Sequence, residues 1–252
     1  MENLKKSQGI ILPKKYKYIE GVDDPLYKKY NGVEKLSYSQ YSSYKDLEYR
    51  NQYYIQYFSG INLPSGEFAE FGSSVGQFIE DVGMSNTPPR TGCLSKEDVE
   101  IILDKITFPP NCVYEDKVII DCGDFCLEGY IDRTQYLAEK EIEIEDFKTL
   151  NLDKKKDFYA SEEYGQTALY SFQKEKEGYK VVRSFVTGLG RKGSSLAGTG
   201  NFKMRLSGVV EQIETPYTKE RGEKIIEDVT KIVHQISDEY KCFLKYFGEK
   251  TK

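Results

Sequence analysis

The run Ile142-Glu143-Ile144-Glu145-Asp146-Phe147-Lys148 contains a change of character that chemistry has to explain. Strand side chains alternate between faces, so Ile142, Ile144, Asp146 and Lys148 share one face that begins apolar and ends with a carboxylate and an ammonium. Burying those charges is costly unless something binds them. A hairpin centred on Glu139 sets Asp132, on the preceding strand, opposite Asp146. Two carboxylates that close repel each other, and a divalent cation is the ordinary way to keep both ionised. The plainer alternative on these residues alone is a surface ion pair between Asp146 and Lys148, worth little to stability.

Positioning such a pair requires an antiparallel meander, and the surrounding pattern supplies one. Val113 to Asp121 is β-branched, Cys122-Gly123-Asp124 is a turn, Phe125 to Gln135 alternates, and Ile142 to Thr149 forms the third strand. Upstream, Ser37 reads as the N-cap of a first long helix to about Phe58, ending at Gly60. Phe68, Phe71, Val75, Phe78, Ile79 and Val82 make the stripe of a second helix over Glu67 to Val82. Ser95-Lys96-Glu97-Asp98 opens a short helix to Ile106. Downstream the pattern predicts a helix from about Ser161 to Lys176, a strand from Tyr179 to Val186, a Gly-rich connection, a strand from Phe202 to about Glu211, and a helix from about Lys219 to Phe247. Residues 1 to 35 show no clear period, and Lys14 to Tyr18 reads as a strand or an arm.

Composition bounds the class. The 252 residues carry 36 Lys plus Arg against 41 Asp plus Glu, a formal charge of -5. The longest apolar runs are a few residues, against about 20 for a membrane span, so no membrane partner is expected. With 21 Tyr and 13 Phe the chain has too many large apolar groups for a disordered polymer and should fold around a core. Met1 to Pro13 lacks an apolar h-region and cleavage site, so a cytoplasmic location with reduced cysteines is expected. Cys93, Cys112, Cys122, Cys126 and Cys242 are odd in number and unevenly spaced, unlike a disulfide framework or a paired zinc site. The predicted fold is α+β in one domain, 1–252: an amino-terminal arm over 1–35, a core over 36–215 holding a mixed sheet of four or five strands whose meander carries the site, and a carboxy-terminal helix over 216–252.

Several motifs in order resemble one family. Gly129-Tyr130-Ile131-Asp132, then Asp146-Phe147-Lys148-Thr149, then Gln166 and Tyr170 four apart on a helix, resemble successive motifs of the PD-(D/E)XK nuclease superfamily in its RecB-type and phage exonuclease branch. Leu36-Ser37-Tyr38-Ser39 and Phe71 to Glu80 look like that branch's amino-terminal segment and first helical motif. The resemblance covers roughly residues 36 to 175 and implies a restriction-endonuclease-like core. It also implies a Mg²⁺-dependent deoxyribonuclease, with Mn²⁺ substituting, acting as an exonuclease in recombination or DNA end processing. A phage-encoded chain acting in a host cytoplasm falls within that branch's range. By this resemblance Asp132, Asp146 and the Phe147 carbonyl bind the metal, and Glu80 reaches the same ion or a second one. Lys148 orients or deprotonates the attacking water and offsets charge on the phosphate, while Gln166 and Tyr170 position Lys148 or the scissile phosphate. Many relatives have His where Gln77 stands. Relatives with an iron–sulfur cluster use a carboxy-terminal Cys group; Cys242 stands alone there, so no cluster is carried over.

Other features point to partners. Val181 to Val210 holds Arg183, Arg191, Lys192, Lys203 and Arg205 without Asp or Glu, a candidate phosphate-tracking strip for DNA; a solvated hairpin is the alternative. Gly188-Leu-Gly190-Arg-Lys-Gly193 matches a GxGxxG pattern, but a strand rather than a helix follows, so a flexible connection is expected and nucleotide binding is not. The tyrosines from Tyr38 to Tyr54 fit packing better than base stacking, and His234 receives no role. With no helicase motif, unwinding would need a helicase or a single-strand-annealing protein as partner. Related phage exonucleases form rings, which leaves a homo-oligomer open. The competing class is a nuclease-like module that holds DNA or an assembly partner without cutting.

Overall fold

The computed structural model describes residues 9–13, 33–193 and 204–247. Among them are β1 (Glu34–Ser37), α1 (Tyr38–Lys45), α2 (Arg50–Tyr53) running into a π-helical turn (Tyr54–Phe58), α3 (Glu67–Gly83) and α4 (Lys96–Lys105). There follow β2 (Cys112–Asp121), β3 (Phe125–Ala138), β4 (Glu141–Leu150), α5 (Leu152–Ala160), α6 (Gln166–Lys176), β5 (Lys180–Lys192), β6 (Arg205–Glu214) and α7 (Lys219–Phe247). The sheet runs β1-β3-β4-β5-β6, with β2 also pairing β3. Pairing is parallel for β1–β3 and β4–β5 and antiparallel for β3–β4 and β5–β6. The chain is therefore α+β with a mixed sheet, as expected, but among the described residues the sheet has six strands rather than four or five. The added strand, β1, begins in the segment whose sequence shows no period.

The chain divides into two compact units. The first comprises Met1–Pro64, Lys117–Gly129 and Glu223–Lys252. Its interior is aromatic: Tyr44 and Tyr53 meet edge to face at 5.3 Å, and Phe58 packs against Tyr240 at 5.0 Å and Phe243 at 5.6 Å. These rings are packing, as the sequence suggested, and each such pair adds about 0.5–1.5 kcal/mol beyond its area. Leu12 is buried, and its N–H donates to Glu34 Oε2 at 3.2 Å, so part of the expected arm is core. Ser37 caps α1 in a capping box with Gln40. The single long helix expected from Ser37 to Phe58 is broken, because Asp46 Oδ1 accepts the Glu48 N–H at 2.9 Å, and this local turn competes with the helical ladder.

The second unit comprises Ser65–Asp116 and Tyr130–Gly222. Phe71, Val75, Phe78 and Ile79 of α3 share a core with Ile102, Leu189 and Leu206. Ser95 caps α4 in a box with Asp98, whose other carboxylate oxygen accepts the Leu206 N–H at 2.7 Å. Several sequence expectations need correction here. The segment after β4 is a separate helix, α5, and the helix expected from Ser161 starts at Gln166. Helix α5 has no fully buried residue, so its sequence carries no apolar stripe to read. Strand β5 continues to Lys192, through the glycines read as a loose connection. Those glycines are a seat: a Cβ at Gly188 would come within 3.1 Å of both Leu150 and Leu152, and one at Gly190 within 3.0 Å of Leu152. Residues 194–203 lie outside the described residues, and β6 begins at Arg205 rather than Phe202.

Candidate active site

The β3–β4 register decides the geometry. Arg133 faces Glu145, Thr134 faces Ile144 and Tyr136 faces Ile142, with an irregularity between Tyr136 and Ala138 where the turn begins. One step further along, the same register brings Asp132 to Asp146, the pairing expected from a hairpin centred on Glu139. Asp132 Oδ2 accepts the Phe147 N–H at 2.7 Å, which ties the two strands together at the site. Asp146 is 2% exposed, and neither of its carboxylate oxygens accepts a hydrogen bond of good geometry. Lys148 Nζ stands 2.5 Å from Asp146 Oδ2, an ion-pair contact. Behind them β5 runs parallel, with Val186, Thr187 and Gly188 opposite Asp146, Phe147 and Lys148.

Burial, and then the charge of Asp146, push the Asp132 carboxyl up to about 7, against the pull of Lys148 and the Phe147 N–H. Burial alone would lower the Lys148 ammonium, but the carboxylates of Asp146 and Asp132 outweigh it and hold the group protonated. An acidic centre with its own ammonium is thus in place, and Asp146 presents two buried oxygens whose hydrogen bonding is incomplete beyond the Lys148 contact. Hard oxygen donors of this kind suit Mg²⁺ or Mn²⁺. Among the described residues no three His, Cys, Asp or Glu side chains stand together in metal-holding geometry.

The remaining expected residues fall around this centre. Gln166 Nε2 donates to the Tyr170 hydroxyl at 3.2 Å, so the two act as one unit on α6. Burial raises Tyr170 above the usual tyrosine range, and it feels the charges of Asp146 and Lys148. Glu80 Oε2 accepts from Gln77 Nε2 at 2.6 Å, so Gln77 orients Glu80. Three neighbours escaped the sequence reading. Glu115 on β2 has a left-handed backbone, φ 51°, and its carboxyl is raised by partial burial and then by the charge of Glu80. Tyr159 on α5 lies between charges, feeling Lys148, Asp146 and Arg191. Burial and the Asp146 charge push Tyr164 well up. A strand residue at positive φ leaves no trace in an alternation pattern. Tyr159 and Tyr164 could have been found only by knowing that α5 folds back over the sheet.

The basic strip is less uniform than its sequence. Arg183 pairs with Glu214 across the sheet and donates to Gln212 at 3.0 Å, so its charge is already met. Arg205 donates to the Met204 carbonyl at 2.7 Å and lies 3.9 Å from Asp98. The acidic partners come from β6 and α4, outside the run that looked free of acid. Arg191 stacks its guanidinium 3.9 Å from the Phe68 ring centre, and Lys192 is exposed. Lys203 lies outside the described residues.

No family model matches the chain, and no curated protein matches it. Among solved structures it is similar to one titled "Crystal structure of SSO0001", at 10% identity over 73% of this chain and 86% of that one, with a TM-score of 0.32. A likeness that loose carries no argument about fold or function.

Proposed function

We propose that this protein is a metal-dependent phosphodiester hydrolase acting on DNA ends, of the PD-(D/E)XK kind its motifs resemble. One observation carries the reading: Asp132 and Asp146 converge from adjacent strands, with Asp146 buried, its carboxylate oxygens short of well-formed hydrogen bonds, and in contact with Lys148. Asp132, Asp146 and the Phe147 carbonyl would hold Mg²⁺, with Glu80 reaching that ion or a second one through water. The bound ion would supply a Lewis acid for the phosphoryl oxygen and lower the pKa of an attacking water. In the reaction a water oxygen attacks phosphorus, the bond to the leaving oxygen breaks, and that oxygen takes up a proton. Lys148, held protonated by its two carboxylates, suits orienting the water and offsetting phosphate charge better than abstracting a proton. Gln166 and Tyr170 hold Lys148 or the scissile phosphate in place.

The second reading, a module that holds DNA without cutting it, draws on Gln77 standing where many relatives have His and being used to orient Glu80. End-labelled linear and covalently closed circular DNA, each with Mg²⁺ or with EDTA, separates the two. An exonuclease degrades the linear substrate in Mg²⁺ and spares the circle, an endonuclease opens both, and a binding module shifts both intact. Near-normal cleavage by Asp146→Ala would end the hydrolase proposal.

A further inference from the structure

Helix α5 follows the candidate Lys148 almost directly in sequence, yet seven of its nine residues are exposed. Three side chains seat it. Leu152 fits over Gly188 and Gly190, Lys156 Nζ pairs with Glu211 Oε2 at 2.5 Å, and Tyr159 lies beside Lys148 and Asp146. At about 100° per residue, the remaining side chains sort into two flanks. Asp153, Asp157 and Ala160 occupy one. Lys154, Lys155 and Phe158 occupy the other, the flank toward which Tyr159 leans. Phe158 and Tyr159 both meet the ring of Tyr164, at 6.0 Å and 4.8 Å, and Tyr164 feels the Asp146 charge. The basic flank therefore borders the carboxylate pair.

The charges on that flank are uncommitted. Among the described residues neither Lys154 nor Lys155 forms an ion pair, whereas Lys156 on the seating side does. Among the same residues Arg191, at the end of β5 and within the field of Tyr159, has no carboxylate partner either. Phe158 presents an exposed ring with the Lys155 ammonium 5.6 Å from its centre. Unpaired cations beside an exposed aromatic ring suit a single nucleic-acid strand: the ammonium groups meet phosphates and the ring stacks on a base.

We infer that Lys154, Lys155 and Phe158 of α5, with Arg191 opposite, form a grip for an unpaired DNA strand leading to the carboxylate pair, an inference that rests on the hydrolase reading for its class of substrate. In this arrangement the GxG of β5 serves as the floor on which the gripping helix sits. The acidic flank of α5 faces away from the strand.

Fluorescence anisotropy in EDTA, where no cleavage occurs, tests the grip by itself, using labelled oligodeoxythymidine and its blunt duplex with oligodeoxyadenosine. The wild type should bind the single strand more tightly than the duplex. Lys154→Glu with Lys155→Glu should weaken single-strand binding about tenfold or more and flatten its salt dependence, by about 0.7 in the log–log slope for each phosphate that is no longer neutralised. Phe158→Ala should weaken it about tenfold, and Asp153→Ala with Asp157→Ala should not weaken it. All these residues are exposed, and unchanged circular dichroism and melting temperature verify folding. Failure of the wild type to bind the single strand, or binding by the lysine and Phe158 variants within about twofold of wild type, would overturn the grip. Mg²⁺-dependent hydrolysis of the same oligonucleotide is read in parallel. Cleavage with an unchanged KM in the lysine variant sinks the grip and leaves the hydrolase standing, whereas weakened binding without any cleavage by the wild type sinks the hydrolase and leaves the grip.

Discussion

Two ion pairs sit back to back on the β3–β4 hairpin, and they are finished differently. On one face Arg133 and Glu145, 4% and 3% exposed, pair with each other; Glu145 also accepts from the Thr187 hydroxyl, and Arg133 donates to the Thr107 carbonyl at 2.5 Å and lies over the Phe147 ring. On the opposite face Asp146 is as deeply buried as Glu145 and pairs with Lys148, whose side chain is 31% exposed. The first pair is the more closed: each member holds a further polar partner, although Arg133 Nε and Glu145 Oε2 lack a hydrogen bond of good geometry. The second is the more open: it reaches solvent through the Lys148 side chain, and both Asp146 oxygens lack such a bond. Buried carboxylate oxygens with incomplete hydrogen bonding are costly, and at Asp146 a ligand could complete them.

That contrast can be broken experimentally. The largest effect should come from the open pair: Asp146→Asn and Lys148→Ala should each lower DNA cleavage on the order of a thousandfold, about 4 kcal/mol of transition-state stabilisation, with little change in a denaturation midpoint. The closed pair should do the reverse. Arg133→Met alone leaves Glu145 buried without its cation and should cost about 3–5 kcal/mol in chemical denaturation, most of it recovered when Glu145→Leu is added. Full stability in the single variant would mean that the two pairs do not differ as described.

A smaller effect is expected at the helix seat. Gly190→Ala would bring a Cβ within 2.4 Å of Ser207 Oγ and 3.0 Å of a Leu152 methyl, and should cost about 1–3 kcal/mol while loosening α5 against proteolysis. The smallest concerns pH. Asp132 is raised from 3.8 to about 7 in the fold, so between those values the folded state binds more protons than the unfolded one. Its contribution to stability is therefore present at low pH and declines as pH rises from about 4 through about 7 in EDTA. Asp132→Asn should remove that decline and raise the melting temperature at about pH 8, while abolishing any stabilisation by Mg²⁺.

The parts of the site that sequence made legible are those fixed by local rules. Alternation and a short turn between Ala138 and Glu141 determine which residues face each other across the hairpin, so the meeting of Asp132 with Asp146 could be read from spacing alone. The stripe of α3 and the capping box at Ser95 are equally local. What was missed depends on distant pieces of chain. Gly188 and Gly190 look like a loop until Leu152 is known to need their space, and Arg183 looks available until the β5–β6 register brings Glu214 beside it. Glu115 approaches Glu80 and Asp146 through one left-handed residue inside a strand, which no pattern of side-chain types announces.

Only Asn151 separates the end of β4 at Leu150 from the start of α5 at Leu152. One residue spans at most about 3.6 Å, so the helix is on a leash too short for it to swing clear like a door. Tension applied to α5 is felt at once by the strand that bears Lys148, and whatever pulls on the helix also tugs that ammonium.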